Sequence, residues 1–128
     1  MDECGKMSYQ KVQNQLYSDA SPVLQFAYVL ERAAFFIAQT KLAIEQNDYE
    51  GQVRSMDRCQ VLIAELSEII QNAEESFLTI HMDYFFKEIS LKLVEICKNQ
   101  DVLICEWMHN ALLNAAALWR SKAYSGNT

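Results

Sequence analysis

The sequence predicts an all-α protein, namely an antiparallel four-helix bundle with an additional short helix at its N-terminus. The first observation is a scarcity of turn formers: the 128 residues include only three glycines and one proline, whereas average usage of roughly 7% and 5% would give about 15. The second is that apolar residues recur at steps of three, four and seven, the spacing of one helix face. With 51% hydrophobic residues, the chain can fill one core, so a single domain over residues 1–128 is predicted.

The predicted elements begin with a weak helical stretch from Tyr9 to Tyr17, inside an N-terminal segment over residues 1–20. Ser21-Pro22 then starts the first long helix, because a serine at the N-cap accepts a hydrogen bond from an orphan N–H and proline fits the first helical position. No helix breaker follows until Asn47-Asp48, which offers a turn and a second N-cap. The first long helix is therefore expected over Ser21–Gln46.

Three further apolar stripes complete the predicted bundle. They are Tyr49, Met56, Cys59, Ile63, Leu66 and Ile70; then Leu78, Met82, Phe85, Ile89, Leu93 and Ile96; then Ile104, Met108, Ala111, Ala115 and Leu118. Ser76 is placed to cap the third helix, and Asn99-Gln100-Asp101 separates the third helix from the fourth. Long helices joined by short turns favour an antiparallel arrangement. The bundle is predicted over residues 21–123, followed by a frayed tail over residues 124–128.

Charge and hydropathy disfavour several classes of partner. The formal net charge is −6 and no cluster of basic residues is present, which argues against nucleic acid because that affinity rests largely on clustered Lys and Arg. The longest apolar run, Ala33–Ala38, has six residues, far fewer than the ~20 that span a bilayer, so no membrane insertion is expected. The first ten residues lack the apolar segment of a secretory signal, and a cytoplasmic location is therefore predicted.

The cysteine and histidine patterns predict no catalytic residue, cofactor or metal. The cysteines contain no Cys-x2-Cys pair, and buried, reduced thiols are expected. Cys105 and His109 lie four residues apart and could share a metal with Asp101, but without a second ligand cluster a packed thiol beside a hydrogen-bonded imidazole is favoured. Phosphotransfer is the strongest enzymatic alternative, yet His109 has no Lys or Gly within the next turn, and Lys87 falls on a different face from His81. The cysteines are Cys4, Cys59, Cys97 and Cys105.

The first long helix carries a second apolar stripe besides its core stripe. At about 100° per residue, one side carries Phe26, Leu30, Ala33, Ala34, Ile37 and Ile44. The opposite side carries Leu24, Tyr28, Phe35 and Leu42. A surface helix of a small bundle normally has one apolar stripe, so the second must be covered by the N-terminal segment, a second copy of the chain or an amphipathic partner helix. The competing interpretation is a central helix that is buried on two sides.

Several motifs occur in an order that resembles the flagellin-specific export chaperones, the FliS family. Arg58–Leu66 is similar to that family's pattern of a small residue, Gln, two aliphatic residues and Glu-Leu. The remaining similar motifs are Ala20-Ser21-Pro22, Ala43-Ile44-Glu45-Gln46-Asn47-Asp48, Leu93-Val94-Glu95 leading to Asp101, and Ala117-Leu118-Trp119-Arg120. The resemblance covers about Tyr9 to Tyr124, most of the chain.

This resemblance implies a cytoplasmic chaperone that uses no cofactor. Such proteins bind the disordered C-terminal segment of flagellin, prevent its premature polymerisation and deliver it to the flagellar type III export gate. Helix geometry, rather than the family, assigns client binding to Leu24, Tyr28, Phe35 and Leu42. Leu16 and Tyr17 are the candidate residues of a lid that covers this stripe in the absence of a client. The alternative is an adaptor or self-associating bundle without a flagellin client, and the oligomeric state is expected to be a monomer or a weak homodimer.

Overall fold

The computed structural model describes residues 21–125, with side chains to residue 122. Within this range the chain forms four helices: α1 (Pro22–Glu45), α2 (Tyr49–Asn72), α3 (Phe77–Asn99) and α4 (Val102–Ser125). The prediction of four long helices is therefore confirmed, and α4 ends at Ser125 rather than at residue 123. The predicted short helix from Tyr9 to Tyr17 lies outside the described residues.

Polar side chains start each of the first three helices as the sequence indicates. The Ser21 hydroxyl accepts a hydrogen bond from the backbone N–H of Leu24 at 3.2 Å, ahead of proline in the first turn of α1. Asp48 accepts from the N–H of Gly51 at 2.9 Å at the start of α2. Ser76 and Thr79 form a reciprocal capping box at the start of α3. Each cap satisfies N–H groups that the helix itself leaves without partners.

The connection between α3 and α4 is made by two polar residues. Gln100 adopts a left-handed backbone conformation with φ of 51° and ends α3. The Asp101 carboxylate then accepts hydrogen bonds from the N–H groups of Leu103 and Ile104, at 2.9 and 3.2 Å. Asp101, which the sequence offered as a possible metal ligand, therefore caps a helix.

Contacts between helix ends show that neighbouring helices run antiparallel. The Gln100 side-chain amide, at the end of α3, donates to the Gln52 side-chain oxygen near the start of α2 at 3.1 Å. Lys41, in the second half of α1, pairs with Glu106 near the start of α4 at 2.7 Å. α1 packs closely against both α2 and α4, whereas α3 contacts α2 and meets α4 over a shorter stretch. Helix α1 is therefore the central helix of the bundle.

A single continuous core is built from all four helices. On α1, Ala27, Ala33 and Ala34 are fully buried beside Leu30 and Ile37, and small side chains at these positions let two neighbouring helices approach closely. The other helices supply larger side chains, and each fully buried Leu, Ile or Phe contributes about 1.5–3 kcal/mol. The largest of these are Ile63, Leu66, Met82, Phe86, Ile89, Ile96, Met108 and Leu112.

The core also contains a small polar contact that joins α1 to α2. The hydroxyl groups of Thr40 and Ser55 lie 2.7 Å apart, and both residues are buried. Ser55 also donates to a carbonyl oxygen in its own preceding turn, that of Gly51 at 2.8 Å. Because a buried hydroxyl without a partner is costly, this pairing helps to fix how the two helices align.

None of the helices described is long and apolar enough to cross a membrane.

Two cysteine thiols in the core have pKa values well above the ordinary value for a thiol. Cys59 and Cys105 are buried, whereas Cys97 is exposed. Burial, with a smaller contribution from the Cys105 thiol, raises the pKa of Cys59 to about 12. Burial, with the nearby Asp101 carboxylate, raises the pKa of Cys105 to about 11. Both thiols therefore stay protonated at neutral pH.

We expect a thiol reagent near pH ~8 to modify Cys97 rapidly and Cys59 and Cys105 only after unfolding, because the thiolate is the nucleophile. The measurement is reagent uptake by a Cys4→Ser variant, with and without denaturant. Rapid uptake by all three thiols in the folded protein would contradict this assignment.

The same two thiols make the stability of the protein depend on pH. Above pH 9, where thiols of the unfolded chain ionise, the folded state retains more protons. The free energy of unfolding should therefore fall towards pH 11 by up to ~1.4 kcal/mol per pH unit for each thiol.

Candidate functional site: the outer face of helix α1

Helix α1 is buried over a wider arc than its predicted core stripe. Phe36, Thr40 and Ala43 are buried in addition to the predicted core residues, of which Ile44 alone is only partly buried, because α2 packs against this side of the helix. The interpretation of α1 as a central helix is thus correct for two of its sides. The third side of α1, opposite the core, is packed against neither α2 nor α4. It is called here the α1 outer face, and it comprises Leu24, Tyr28, Phe35 and Leu42.

The α1 outer face is unevenly covered along its length. Phe35 and Leu42, on the second half of the helix, are 54% and 47% exposed. Leu24 and Tyr28, on the first half, are better covered and are half-buried. The predicted lid residues Leu16 and Tyr17 lie outside the described residues. The largest exposed apolar surface of α1 is therefore concentrated around Phe35 and Leu42.

One groove runs between α1 and α4 beside Leu42. It has a volume of about 570 Å³ and is bordered by Leu42, Cys105, His109 and the Lys41–Glu106 ion pair. The carboxylate of Glu106 raises the pKa of Lys41 through a hydrogen bond, so Lys41 remains cationic throughout the physiological range. The groove thus combines an apolar wall with a fixed pair of opposite charges.

His109 has a structural partner in this groove. Its Nδ1 donates to the carbonyl oxygen of Ala34 on α1 at 3.0 Å, and its side chain is partly buried. This hydrogen bond agrees with the predicted bonded imidazole and does not favour phosphotransfer at this ring. Within the described part of the chain, no group of three or more His, Cys, Asp or Glu side chains could hold a metal.

A second groove lies on the other side of Phe35, between α1 and α2. Phe36 forms its floor, and the guanidinium groups of Arg32 and Arg58 lie 5.6 and 5.8 Å from the centre of its ring. Arg54 extends this rim towards Leu42, and the carboxylates of Asp57 and Asp48 also border it, so the rim carries both signs of charge with an excess of arginine. Sequence analysis did not predict the rim, because its arginines come from two helices and no local run of basic residues indicates it. The spacing of Arg54 and Arg58, one helical turn apart, was the available signal.

The far end of α1 is held to α4 by an aromatic contact and an ion pair. The rings of Phe26 and Trp119 are 4.5 Å apart. Arg120 donates two hydrogen bonds to the Glu31 carboxylate, at 2.6 and 2.9 Å. Such bidentate pairs fix geometry better than single contacts do. Trp119 therefore holds the buried side of α1 to α4, and Arg120 holds α4 to α1 at the edge of the α1 outer face.

These features define a helical bundle whose central helix presents an apolar face between two grooves, a surface typical of a protein that binds another polypeptide segment. The family model described as flagellar protein FliS matches residues 5–125. The chain therefore belongs to the FliS family, a family of flagellar export chaperones. No curated protein matches the chain.

Two adjacent phenylalanines provide a test of which side of α1 is core and which is surface. Phe35→Ala should lower the free energy of unfolding by less than about 1 kcal/mol, because the ring is mainly exposed. Phe36→Ala should cost about 3–5 kcal/mol, because it leaves a cavity beneath Arg32 and Arg58. Urea unfolding of the two variants measures the difference. Equal losses of stability in the two variants would contradict the assignment of Phe35 to the surface and Phe36 to the core.

Proposed function

We propose that the protein is a cytoplasmic export chaperone that binds the disordered C-terminal segment of flagellin. In this proposal it prevents premature polymerisation and supports delivery of flagellin to the flagellar type III export gate. Membership of the FliS family supports the general class. The observation that carries the assignment to a site is the exposure of Phe35 and Leu42 between two grooves on the central helix.

The proposed binding step is burial of apolar client side chains without chemical catalysis. A client segment that forms an amphipathic helix would lay its apolar side against the α1 outer face, so that Phe35 and Leu42 enter the interface. Leu24 and Tyr28 would extend this contact along the first half of α1. The client loses conformational entropy as it folds, and the apolar area removed from water must exceed that cost.

Polar groups beside the apolar face would orient the client. Arg32, Arg54 and Arg58 lie on the α2 side, and the Lys41–Glu106 pair lies on the α4 side. Charges at the edge of an interface contribute more to specificity and association rate than to affinity. An occupied α1 face would also keep the apolar side of the client from contacting other flagellin molecules, which supports the proposed control of polymerisation.

The direct test is isothermal titration of the protein with a peptide from the C-terminus of flagellin. We expect one-to-one binding with a large negative heat-capacity change, because the client folds onto apolar surface. The double substitution Phe35→Asp and Leu42→Asp should weaken binding by about 100-fold or more, equivalent to ~2.7 kcal/mol. The helical circular-dichroism signal should be retained, since both side chains are exposed.

The matched control is Leu91→Asp with Val94→Asp, which places two charges on exposed apolar positions of α3. This control should bind the client with the affinity of the wild type. Unchanged affinity in the α1 variant would refute the site while leaving the chaperone function open. Absence of binding by the folded wild-type protein would refute flagellin as the client.

The proposed lid makes a separate prediction. If Leu16 and Tyr17 cover the α1 outer face in the empty protein, deletion of residues 1–17 removes an internal competitor. Client binding should then tighten, and the empty protein should self-associate more readily. Light scattering and titration measure the two effects. A truncated protein with unchanged affinity and an unchanged mass would rule out the lid, and a tight dimer that ignores the truncation would favour the alternative of a self-associating bundle.

A further inference from the structure

A groove opens between the end of α2 and the start of α3, and it is called here the α2–α3 groove. It has a volume of about 440 Å³, and its walls include the buried Ile70 of α2 and the exposed Ile80 and Tyr84 of α3. Phe77 lies on the same side of α3, because steps of three and four residues return to one helix face. Phe77, Ile80 and Tyr84 are 89%, 44% and 69% exposed. Aligned apolar side chains beside a groove are typical of a docking surface.

The chain around this groove is acidic. From residue 59 to residue 86 it contains five carboxylates and neither Lys nor Arg. Lys87, the next basic residue, is bonded to Asp83, and Glu88 follows it directly. Within the part of the chain that the structure describes, none of the other four carboxylates forms an ion pair. The five carboxylates are Glu65, Glu68, Glu74, Glu75 and Asp83.

The neighbouring helices do not neutralise this charge. The first part of α1, Pro22–Leu30, carries no charged side chain. Near the end of α4, Arg120 is bonded to Glu31 on α1. The remaining basic residue there, Lys122, belongs to a helix that packs chiefly against α1 and not against α2. An excess of carboxylates attracts a cationic partner and repels an anionic one, including the same surface of a second copy.

The position of Lys87 shows how a cation is held in this groove. Its ammonium group lies 3.0 Å from Asp83 Oδ2 and 5.9 Å from the centre of the Tyr84 ring, so a carboxylate and an aromatic ring bind it together. The Lys87 side chain is nevertheless 68% exposed. The second oxygen, Asp83 Oδ1, is shielded from solvent and accepts no hydrogen bond from the residues described. This carboxylate therefore has the capacity for another donor.

These observations point to a partner that is both apolar and cationic. We propose that the α2–α3 groove binds a basic amphipathic segment of a second protein. An Arg or Lys of that segment takes the place of Lys87 between Asp83 and the Tyr84 ring. Its aliphatic stem and a neighbouring apolar side chain cover Ile80. A second cation of the segment pairs with Glu75 at the edge of the groove.

The dimensions of the groove limit the length of this partner segment. From residue 77 to residue 87, α3 rises about 15 Å at ~1.5 Å per residue, so about ten residues of a partner helix match it. The partner's cations would then be three or four residues apart, on one side of its helix. The proposal does not depend on flagellin as the client, because Phe35 and Leu42 do not border this groove.

The probe for this proposal is a synthetic helical peptide of about twelve residues with leucine and arginine at steps of three and four. Fluorescence anisotropy with the full-length protein should show binding about tenfold or more tighter than for the same peptide with glutamate replacing arginine. Tyr84→Ala with Glu75→Lys should weaken binding of the arginine peptide by about tenfold. The matched control is Tyr49→Ala with Glu50→Lys, since Tyr49 is 65% exposed, and its affinity should stay within about twofold of the wild type.

Lys87 allows a second test, because it occupies the proposed position of the partner's cation. Lys87→Met keeps an unbranched side chain but leaves Asp83 and the Tyr84 ring to the arginine peptide, whose affinity should rise about fivefold. Lys98→Met is the matched control, since it removes the same charge from the last turn of α3, outside the groove. Equal gains in the two variants would show that overall charge attracts the peptide, and would contradict the proposal.

Other results would also overturn the proposal. Equal binding of the arginine and glutamate peptides would exclude charge complementarity. Unchanged affinity in Tyr84→Ala with Glu75→Lys would place the arginine peptide elsewhere, and loss of flagellin-peptide affinity in that variant would assign the groove to the client. Tighter binding of the arginine peptide after deletion of residues 1–17 would assign the groove to the N-terminal segment of this chain. Circular-dichroism melting curves check that each variant remains folded.

Discussion

The structure depends on the close packing of α1 against two neighbours at once. Ala27, Ala33 and Ala34 have no exposed surface, and their small size lets α2 and α4 approach the same helix from two sides. Larger residues at these positions would force the helices apart, because packed cores accommodate extra volume poorly. This constraint makes α1 the central helix, and it determines which of its sides remains available to solvent.

The α1 outer face follows from this arrangement. Two neighbours, α2 and α4, cover a wide arc of α1. The remaining arc carries the exposed side chains of Phe35 and Leu42. The grooves on either side exist because α1, α2 and α4 meet there, and within residues 21–125 no other helix covers them. Hydrogen bonds and ion pairs between helices, such as Glu31 with Arg120, hold the walls in position. The candidate site is thus the part of the central helix that the bundle leaves uncovered.

Much of the fold was predictable because its signals are local. Ser21, Asp48 and Ser76 cap helices through contacts three residues away, which spacing alone reveals. The identity of the core residue was less certain where two apolar residues are adjacent. Phe85 was expected in the core, whereas Phe86 is the fully buried ring and Phe85 is only partly buried. Adjacent residues differ by about 100° on a helix, and only the position of the neighbouring helices decides between them.

The sequence by itself determined the helical class, the starts of the first three helices and the existence of a second apolar stripe on α1, because each is encoded within a few turns of one helix. Tertiary structure decided how that stripe divides, with Phe35 and Leu42 exposed and Leu24 and Tyr28 half-buried. It also brought Arg32 and Arg58, from two helices, to the same Phe36 ring. These features depend on distances between helices, and a helical period specifies directions around one axis but not which neighbour stands there.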